Sequence, residues 1–491
     1  MTLPARTPLS NEDLLPVAPE RRTWNWWHIA SLWIGMAICI PTYTLASGLM
    51  ASGWTWQAAV GAVILGNVVV LVPIALNSHA GTRYGIPFPV LARAPFGVLG
   101  ANVPALLRGL VACGWFGIQT WIGGWAIYKL LEVMWPGIAT LPQILPAAIG
   151  LNTGEFLCFM LFWAMNVWIV LRGMDSIKFL ETWGSPFLLA VGAALFIWAW
   201  VRAGGLGPML ENPAVGPSGR PAVSSIWGAG LTSAVAFWGT MALSIPDFSR
   251  YARSQKDQLV GQAVGLPATM ALFAFIGAAV TNATVVIFGT RIADPVALLA
   301  RIGGPLMIML SMAGLIVATL TTNIAANIVA PANAFSNLAP HKITFKQGAM
   351  VTAVIGILMM PWRLYNDAAA YIFTWLIGYG ALLGPVAGIM IADYFFVRHG
   401  ELVLNDLYQR HGAYEYARGI NWIAMGALAI GVAPSLPGFV SALRGVPETG
   451  VFGTFYNWAW FAGFGISALI YVIGMRLAAG SRERGAVGAS A

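Results

Sequence analysis

The chain has 491 residues, of which 58% are hydrophobic and 9% charged, against roughly 25% charged in a soluble globular protein. With 22 Trp, 56 Gly and a mean hydropathy of +0.74, the composition excludes a secreted, fibrous or disordered protein and calls for many membrane helices packed as one unit. The formal charge is +8, but the basic residues are scattered through short connections, so nucleic acid is excluded as a partner and the charges read as topology signals.

Residues 1–27 form a polar N-terminal segment with Pro4, Pro8, Pro16 and Pro19, and no small-residue cleavage site follows a short apolar core, so no signal peptide is read. A helix needs about 20 apolar residues to cross the hydrocarbon. Twelve segments answer to that, at about 28–51, 57–79, 104–130, 154–171, 182–201, 225–245, 263–289, 304–330, 344–361, 367–391, 419–436 and 452–475. The alternating pattern of a membrane barrel is absent, so the chain is predicted to be an all-α integral membrane protein with twelve transmembrane helices. Sorted by side, only Lys129, Arg202, Arg220, Arg291, Arg301, Arg363 and Arg444 fall opposite the N-terminus. The remaining Lys and Arg, including Arg6 and Arg108, share its side, which predicts a cell-membrane protein with both termini in the cytoplasm. Residues 28–391 then form a ten-helix core, 392–418 a cytoplasmic connection, 419–475 two additional spans and 476–491 a cytoplasmic tail.

In the first span Pro41 removes a backbone bond and frees a carbonyl, so the helix is expected to kink or unwind around Gly35 to Pro41. The connection 80–103 carries Gly81, Gly85, Pro87, Pro89, Pro95 and Gly97. It reads as a structured loop folded against the bundle, with a moving gate as its functional alternative. In the third span, Gly114-Trp115-Phe116-Gly117-Ile118-Gln119 sets an indole and a carboxamide one turn apart on one face. The sixth span has Phe237-Trp238-Gly239 near its centre and Pro246 near its end. Interruptions at matching positions of two halves point to a transporter binding site.

The eighth span carries Thr319, Thr321, Thr322, Asn323 and Asn327 after Ala318. At about 100° per residue, Thr321 and Thr322 flank Ala318, while Asn323 and Asn327 share another face. Hydroxyls beside a carbonyl suit a small hard cation; the bland alternative is that each Thr bonds the carbonyl one turn back. No acidic residue falls at mid-span, Asp247, Asp367 and Asp393 standing at helix ends, which argues against a buried carboxylate proton relay. Cys39, Cys113 and Cys158 share no metal-binding or disulfide spacing, and no H-E-x-x-H motif appears, so no cofactor and no enzyme chemistry is read. Gln119 and Asn327 with Trp115 and Trp238 would suit a flat neutral ligand carrying amide donors and acceptors, such as a lactam or uracil ring.

Five stretches carry a resemblance to a known family. They are Trp33-Ile34-Gly35-Met36-Ala37 through Ile40-Pro41-Thr42-Tyr43, Gly81-Thr82-Arg83-Tyr84-Gly85-Ile86-Pro87-Phe88-Pro89, Gly114 through Trp121, Thr321 through Asn327, and Leu383-Gly384-Pro385-Val386-Ala387-Gly388. From about residue 10 to 475 the chain resembles the nucleobase:cation symporter-1 family, which includes uracil and purine, allantoin and hydantoin permeases. The resemblance implies a leucine-transporter-like 5+5 inverted repeat with broken helices 1 and 6, plus two C-terminal helices. It implies a cation, Na⁺ with H⁺ as the alternative, near the carbonyls of Gly35, Ile38 and Ala318 and the hydroxyls of Thr321 and Thr322. It implies a substrate between Trp115 and Trp238, bonded by Gln119 and Asn327. Phe237 stands where family hydantoin permeases can have Gly, which should narrow the pocket. Import of uracil or a related pyrimidine by alternating access is therefore expected first, then of allantoin or a 5-substituted hydantoin. A channel, a receptor or an intramembrane enzyme ranks lower. The partners are a small heterocycle and the lipid bilayer, and the oligomeric state stays open, a monomer included.

Overall fold

Every expected apolar segment meets a helix or a run of short helices in the computed structural model, which describes residues 7–172, 174–210, 223–302, 304–364, 370–446 and 450–489. Arg6, Arg220 and Asp367 lie outside the described residues. Among the described residues, eight helices are long and apolar enough to cross a membrane, and Trp26–Ala37 with Ile40–Ala51 makes a further, bent span. Helices satisfy their own backbone groups, as lipid requires. The only strand-like pairings among those residues are the isolated bridges Trp24 to Ala252 and Ala417 to Ile420.

The first span breaks where its sequence says it should, but the proline plays a different part from a mid-helix kink. Trp26–Ala37 starts on a capping box, Asn25 accepting from the His28 amide, and ends at Ile38, whose φ of −82° and ψ of 79° are not helical. The Cys39 amide donates to Ala37 at 3.0 Å, so Ile38 is the centre of an inverse γ-turn. Ile40–Ala51 then begins with Pro41 in its first turn, where a missing N–H costs no helical bond. The two halves meet at 55°.

The sixth span is interrupted at Trp238 (φ −102°, ψ 12°), between Val223–Phe237 and Gly239–Ser244, and steps again at Ile245 before Pro246–Ser249. The eighth runs further than its apolar pattern indicated. Pro305–Asn327 is followed by a step at Ile328 and then by Val329–Leu338. Pro331 lies in the first turn of Val329–Leu338, where a missing N–H costs no helical bond. The tenth span opens on a π-helical stretch, Ala370–Leu376, and closes on another, Ala392–Val397.

The 80–103 connection is folded into the bundle. Gly85, at φ 74°, ends Trp56–Tyr84, and the short helices Phe88–Leu91 and Arg93–Phe96 are buried throughout. The N-terminal segment straps across the same end of the molecule. The Val17 amide donates to the Gly85 carbonyl, and the Trp24 amide to that of Tyr251. Arg22 donates to Val17 and Thr82 carbonyls, and Asn11 reaches Ser336, Pro340 and Ile343.

The two last spans lie against Ile377–Ile391, whose Gly384 and Gly388 let the backbones approach. A Cβ on Gly388 would meet the Phe464 carbonyl oxygen at 2.3 Å, the small-xxx-small logic of membrane helix packing. Gly388→Ala is expected to cost about 1–3 kcal/mol by forced separation, read as a lower Tm of the purified protein. Gly426→Ala, where nothing lies within 4 Å of an added Cβ, should leave the Tm unchanged.

Candidate functional site

Two broken helices and one continuous helix meet at the centre of the bundle, and their freed backbone oxygens set the chemistry there. In an unbroken first helix the Gly35 carbonyl would accept from the Cys39 amide, which instead turns back to Ala37. The Thr322 hydroxyl takes that place, 3.0 Å from the Gly35 oxygen and 3.2 Å from the Ala318 oxygen. Thr321 donates to Ala318 at 2.7 Å. Ile38 and Ala318 pack in one small cluster with Phe273. Gly35, Ile38, Ala318, Thr321 and Thr322 are thus brought together, and all five are buried. The bonding of each Thr to its own helix coexists with the longer bond that ties the helix to the break.

Beside this cluster lies a cavity lined by Trp115, Gln119, Phe237, Trp238, Thr322 and Asn327, with Met36, Cys39, Thr240 and Ala326 completing the wall. All five residues expected at a substrate site are therefore on one surface, around a free space of about 20 Å³, room for about one water molecule. The rings form an edge-to-face chain: Trp115 to Phe237 at 5.5 Å, Phe237 to Trp238 at 5.1 Å and Trp238 to Trp33 at 5.1 Å. Phe237 thus stands between the two indoles. Gln119 Oε1 and the Trp238 indole N–H are buried with no hydrogen-bond partner among the described residues. Two such groups in one wall are a site's usual way of asking for a polar ligand.

Several residues that hold this site escape a reading of the sequence. Tyr379 donates to the Ala236 carbonyl at 2.8 Å, and Asn77 to the Ala242 carbonyl at 2.6 Å, satisfying the sixth span around its break. Arg108 corrects its expected place among loop cations: it lies in Asn102–Met134, fully buried. It donates to Ser244 at 3.0 Å and to the Ala326 carbonyl at 3.2 Å. Asp247 and Asp393, expected at helix ends, are fully buried as well. Asp247 accepts from the Phe88 amide at 3.1 Å and is drawn toward Arg108 and Arg250. Asp393 pairs with Arg398 at 2.7 Å and accepts from Tyr471 at 2.6 Å. Compensation by paired cations and donors is what permits charge at this depth. Asn166, a lone carboxamide in the fourth span, carries the same signal in the sequence as Gln119.

Similarity to known proteins extends over almost the whole chain. A family model described as a permease for cytosine/purines, uracil, thiamine and allantoin matches residues 16–463. The purine-uracil permease NCS1 of Arabidopsis thaliana is 45% identical over 474 residues, covering 95% of this chain and 77% of that one. The allantoin permease of Bacillus subtilis is 42% identical over 476 residues, covering 96% and 94%. Among solved structures, Mhp1, a nucleobase-cation-symport-1 family transporter in a closed conformation with bromovinylhydantoin bound, superposes with a TM-score of 0.78. It is 27% identical, and the match covers 96% of each chain. The all-helical architecture, interrupted in the first and sixth spans, is the leucine-transporter-like one that the resemblance implied. The match runs through the break at Ile38, the ring-lined cavity and the hydroxyl pair of the eighth span, and the chain belongs to the nucleobase:cation symporter-1 family of membrane permeases.

Proposed function

We propose that the chain is a secondary active importer of a planar ureide or lactam heterocycle, uracil or a related pyrimidine first, driven by a cation through alternating access. The observation that carries this is the placing of two carboxamides, Gln119 and Asn327, among Trp115, Phe237 and Trp238 in one cavity that Thr322 also lines. A carboxamide matches the donor and acceptor edge of a cyclic ureide, and ring faces suit its plane. The similarity to a purine-uracil permease supports the pyrimidine. The similarity to an allantoin permease and to a transporter holding bromovinylhydantoin supports a second reading, in which allantoin or a 5-substituted hydantoin is the cargo.

The cation of this proposal is Na⁺, held by the carbonyls of Gly35, Ile38 and Ala318 and the hydroxyls of Thr321 and Thr322. Neutral oxygens of this kind suit a hard cation. Among the described residues no group of three or more His, Cys, Asp or Glu is placed to hold a metal ion, so a transition metal has no comparable ligand set. On this assignment the protein sits in the cell membrane with both termini in the cytoplasm, the side to which the Lys and Arg excess points.

Thermal shift of the purified protein with uracil, allantoin and 5-benzylhydantoin, each with and without Na⁺ at constant ionic strength, tests the assignment. Uracil stabilisation that grows with Na⁺ is expected. Stabilisation by allantoin or the hydantoin alone moves the cargo, absence of a Na⁺ effect moves the coupling to H⁺, and no response to any of the three overturns the proposal. Replacing Thr321 and Thr322 together by Ala should abolish cation-dependent uptake while protein still reaches the membrane; uptake that keeps its cation dependence would remove both hydroxyls from the site. Trp115→Ala removes a ring contact worth about 0.5–1.5 kcal/mol, so KM should rise roughly three- to tenfold with the cation dependence retained.

A further inference from the structure

The wall of the cavity is backed by a chain of hydrogen-bonded side chains that links the third, fourth and eighth spans. Asn166, Thr120 and Asn323 are fully buried, and Asn327, one turn beyond Asn323, is 5% exposed where it meets the cavity. The direction of every bond in this chain follows from groups that can only accept or only donate. Asn166 Nδ2 donates to the Phe162 carbonyl at 2.8 Å, and a backbone carbonyl cannot donate, so the Asn166 oxygen is turned away from its own helix. The Thr120 hydroxyl spends its proton on the Phe116 carbonyl at 2.6 Å, leaving its oxygen as an acceptor. Asn323 Nδ2 then faces three acceptors: Thr120 Oγ1 at 3.1 Å, Asn166 Oδ1 at 3.2 Å and the Phe116 carbonyl at 3.3 Å. Flipping the Asn323 amide would set its oxygen against all three. Its oxygen therefore points the other way, and accepts from Asn327 Nδ2 at 3.1 Å.

One consequence reaches the cavity. With an N–H of Asn327 committed to Asn323, the Asn327 amide cannot rotate without breaking the chain, and its Oδ1 is engaged by no donor among the described residues. Gln119 Oε1, in the same wall, is buried and also has none. A ligand settling there meets two amide oxygens, which a ring N–H satisfies and an N-methyl group or a bare ring nitrogen does not. A site built around a specific hydrogen bond rejects the analogue that lacks it far more strongly than an apolar site rejects an extra methyl group.

We propose that Asn166, Thr120 and Asn323 are positioning residues that hold Asn327 with its oxygen toward the cavity, and that they thereby select ligands carrying a ring N–H at that edge. This rests on the importer assignment above. If these residues served only as glue between the third, fourth and eighth spans, their loss would weaken every ligand alike.

The full-length purified protein is titrated by thermal shift with uracil and with 5-benzylhydantoin, each beside its 1-methyl and 3-methyl derivatives, and apparent affinities are taken from the concentration dependence of the Tm. In the wild type the parent ring is expected to bind at least about 100-fold more tightly than the less favoured of its two methyl derivatives. Asn323→Leu, and independently Asn166→Leu, should bring that ratio down by about tenfold or more with the Na⁺ increment retained. Thr120→Ser, which keeps the hydroxyl, should preserve the ratio, and Thr120→Val should lower it. Parent and methylated rings weakened by one common factor would overturn the relay while leaving the importer assignment standing, as would a wild type indifferent to either methyl group. A wild type that binds neither any of the six compounds nor allantoin overturns the importer assignment, and the relay with it; allantoin bound alone leaves an importer of another cargo and overturns the relay as stated. Should Asn323→Leu not fold, Asn166→Leu and Thr120→Val, neither of which lines the cavity, separate the same outcomes.

Discussion

A helix cannot be broken inside a membrane without giving its freed carbonyls something to bind, and this constraint organises the centre of the molecule. Water is absent from the bilayer core, so each unpaired backbone group there costs several kcal/mol. At the first break the Gly35 oxygen loses the Cys39 amide to a γ-turn and is met by the Thr322 hydroxyl. At the second, the Ala236 oxygen is met by Tyr379. Further along that span Asn77 serves Ala242, and on the eighth span Arg108 serves Ala326. These compensating groups come from other helices, so the breaks are held by the bundle rather than by their own sequence. Hydroxyl and carbonyl oxygens left clustered in this way are also the donor set that a hard cation takes.

The same logic extends toward the end of the molecule that carries the N-terminus. Arg108 joins the sixth span at Ser244 to the eighth at Ala326, one residue before the carboxamide of Asn327. Asp247 sits at the foot of the sixth span, accepting from the folded 80–103 connection at Phe88. Arg250, three residues on, donates to the Asp13 carbonyl of the N-terminal strap at 2.8 Å. The strap and the folded connection are thus each tied by a hydrogen bond to the foot of the sixth span.

The parts of this arrangement that can be read from the sequence are those with a local cause. Pro41 announces a break in the first span, Trp115 and Gln119 announce a shared face by their spacing, and the Thr-Thr-Asn run announces oxygen at depth. Twelve apolar segments lead to an all-α membrane protein, while the inverted-repeat architecture comes from the family resemblance that five motifs carry. What escapes depends on partners distant in the chain. The continuation past residue 330 escapes because nothing local distinguishes a proline that ends a helix from one in the first turn of the next. Arg108 looks like a topology signal, since its burial is made tolerable by Ser244, Ala326 and Asp247, all more than 130 residues away. Asn166 passes unread because the bond it accepts comes from Asn323, 157 residues away.

Thr322 belongs to both halves of the central site, lining the cavity and bonding the Gly35 oxygen. Trp238 likewise lines the cavity while its ring lies edge to face against Trp33 of the broken first helix. On the proposed assignment, a ligand that presses on Trp238 also presses on the broken first helix, and a cation that reorders Thr322 reshapes the wall a ligand meets. Thermodynamic linkage makes that influence equal in both directions: whatever factor the ion adds to the affinity for the heterocycle, the heterocycle adds to the affinity for the ion. Coupling in such a site needs no long-range wire. It needs two ligands that share a threonine and a helix break, each stabilising an arrangement of that break that the other also prefers.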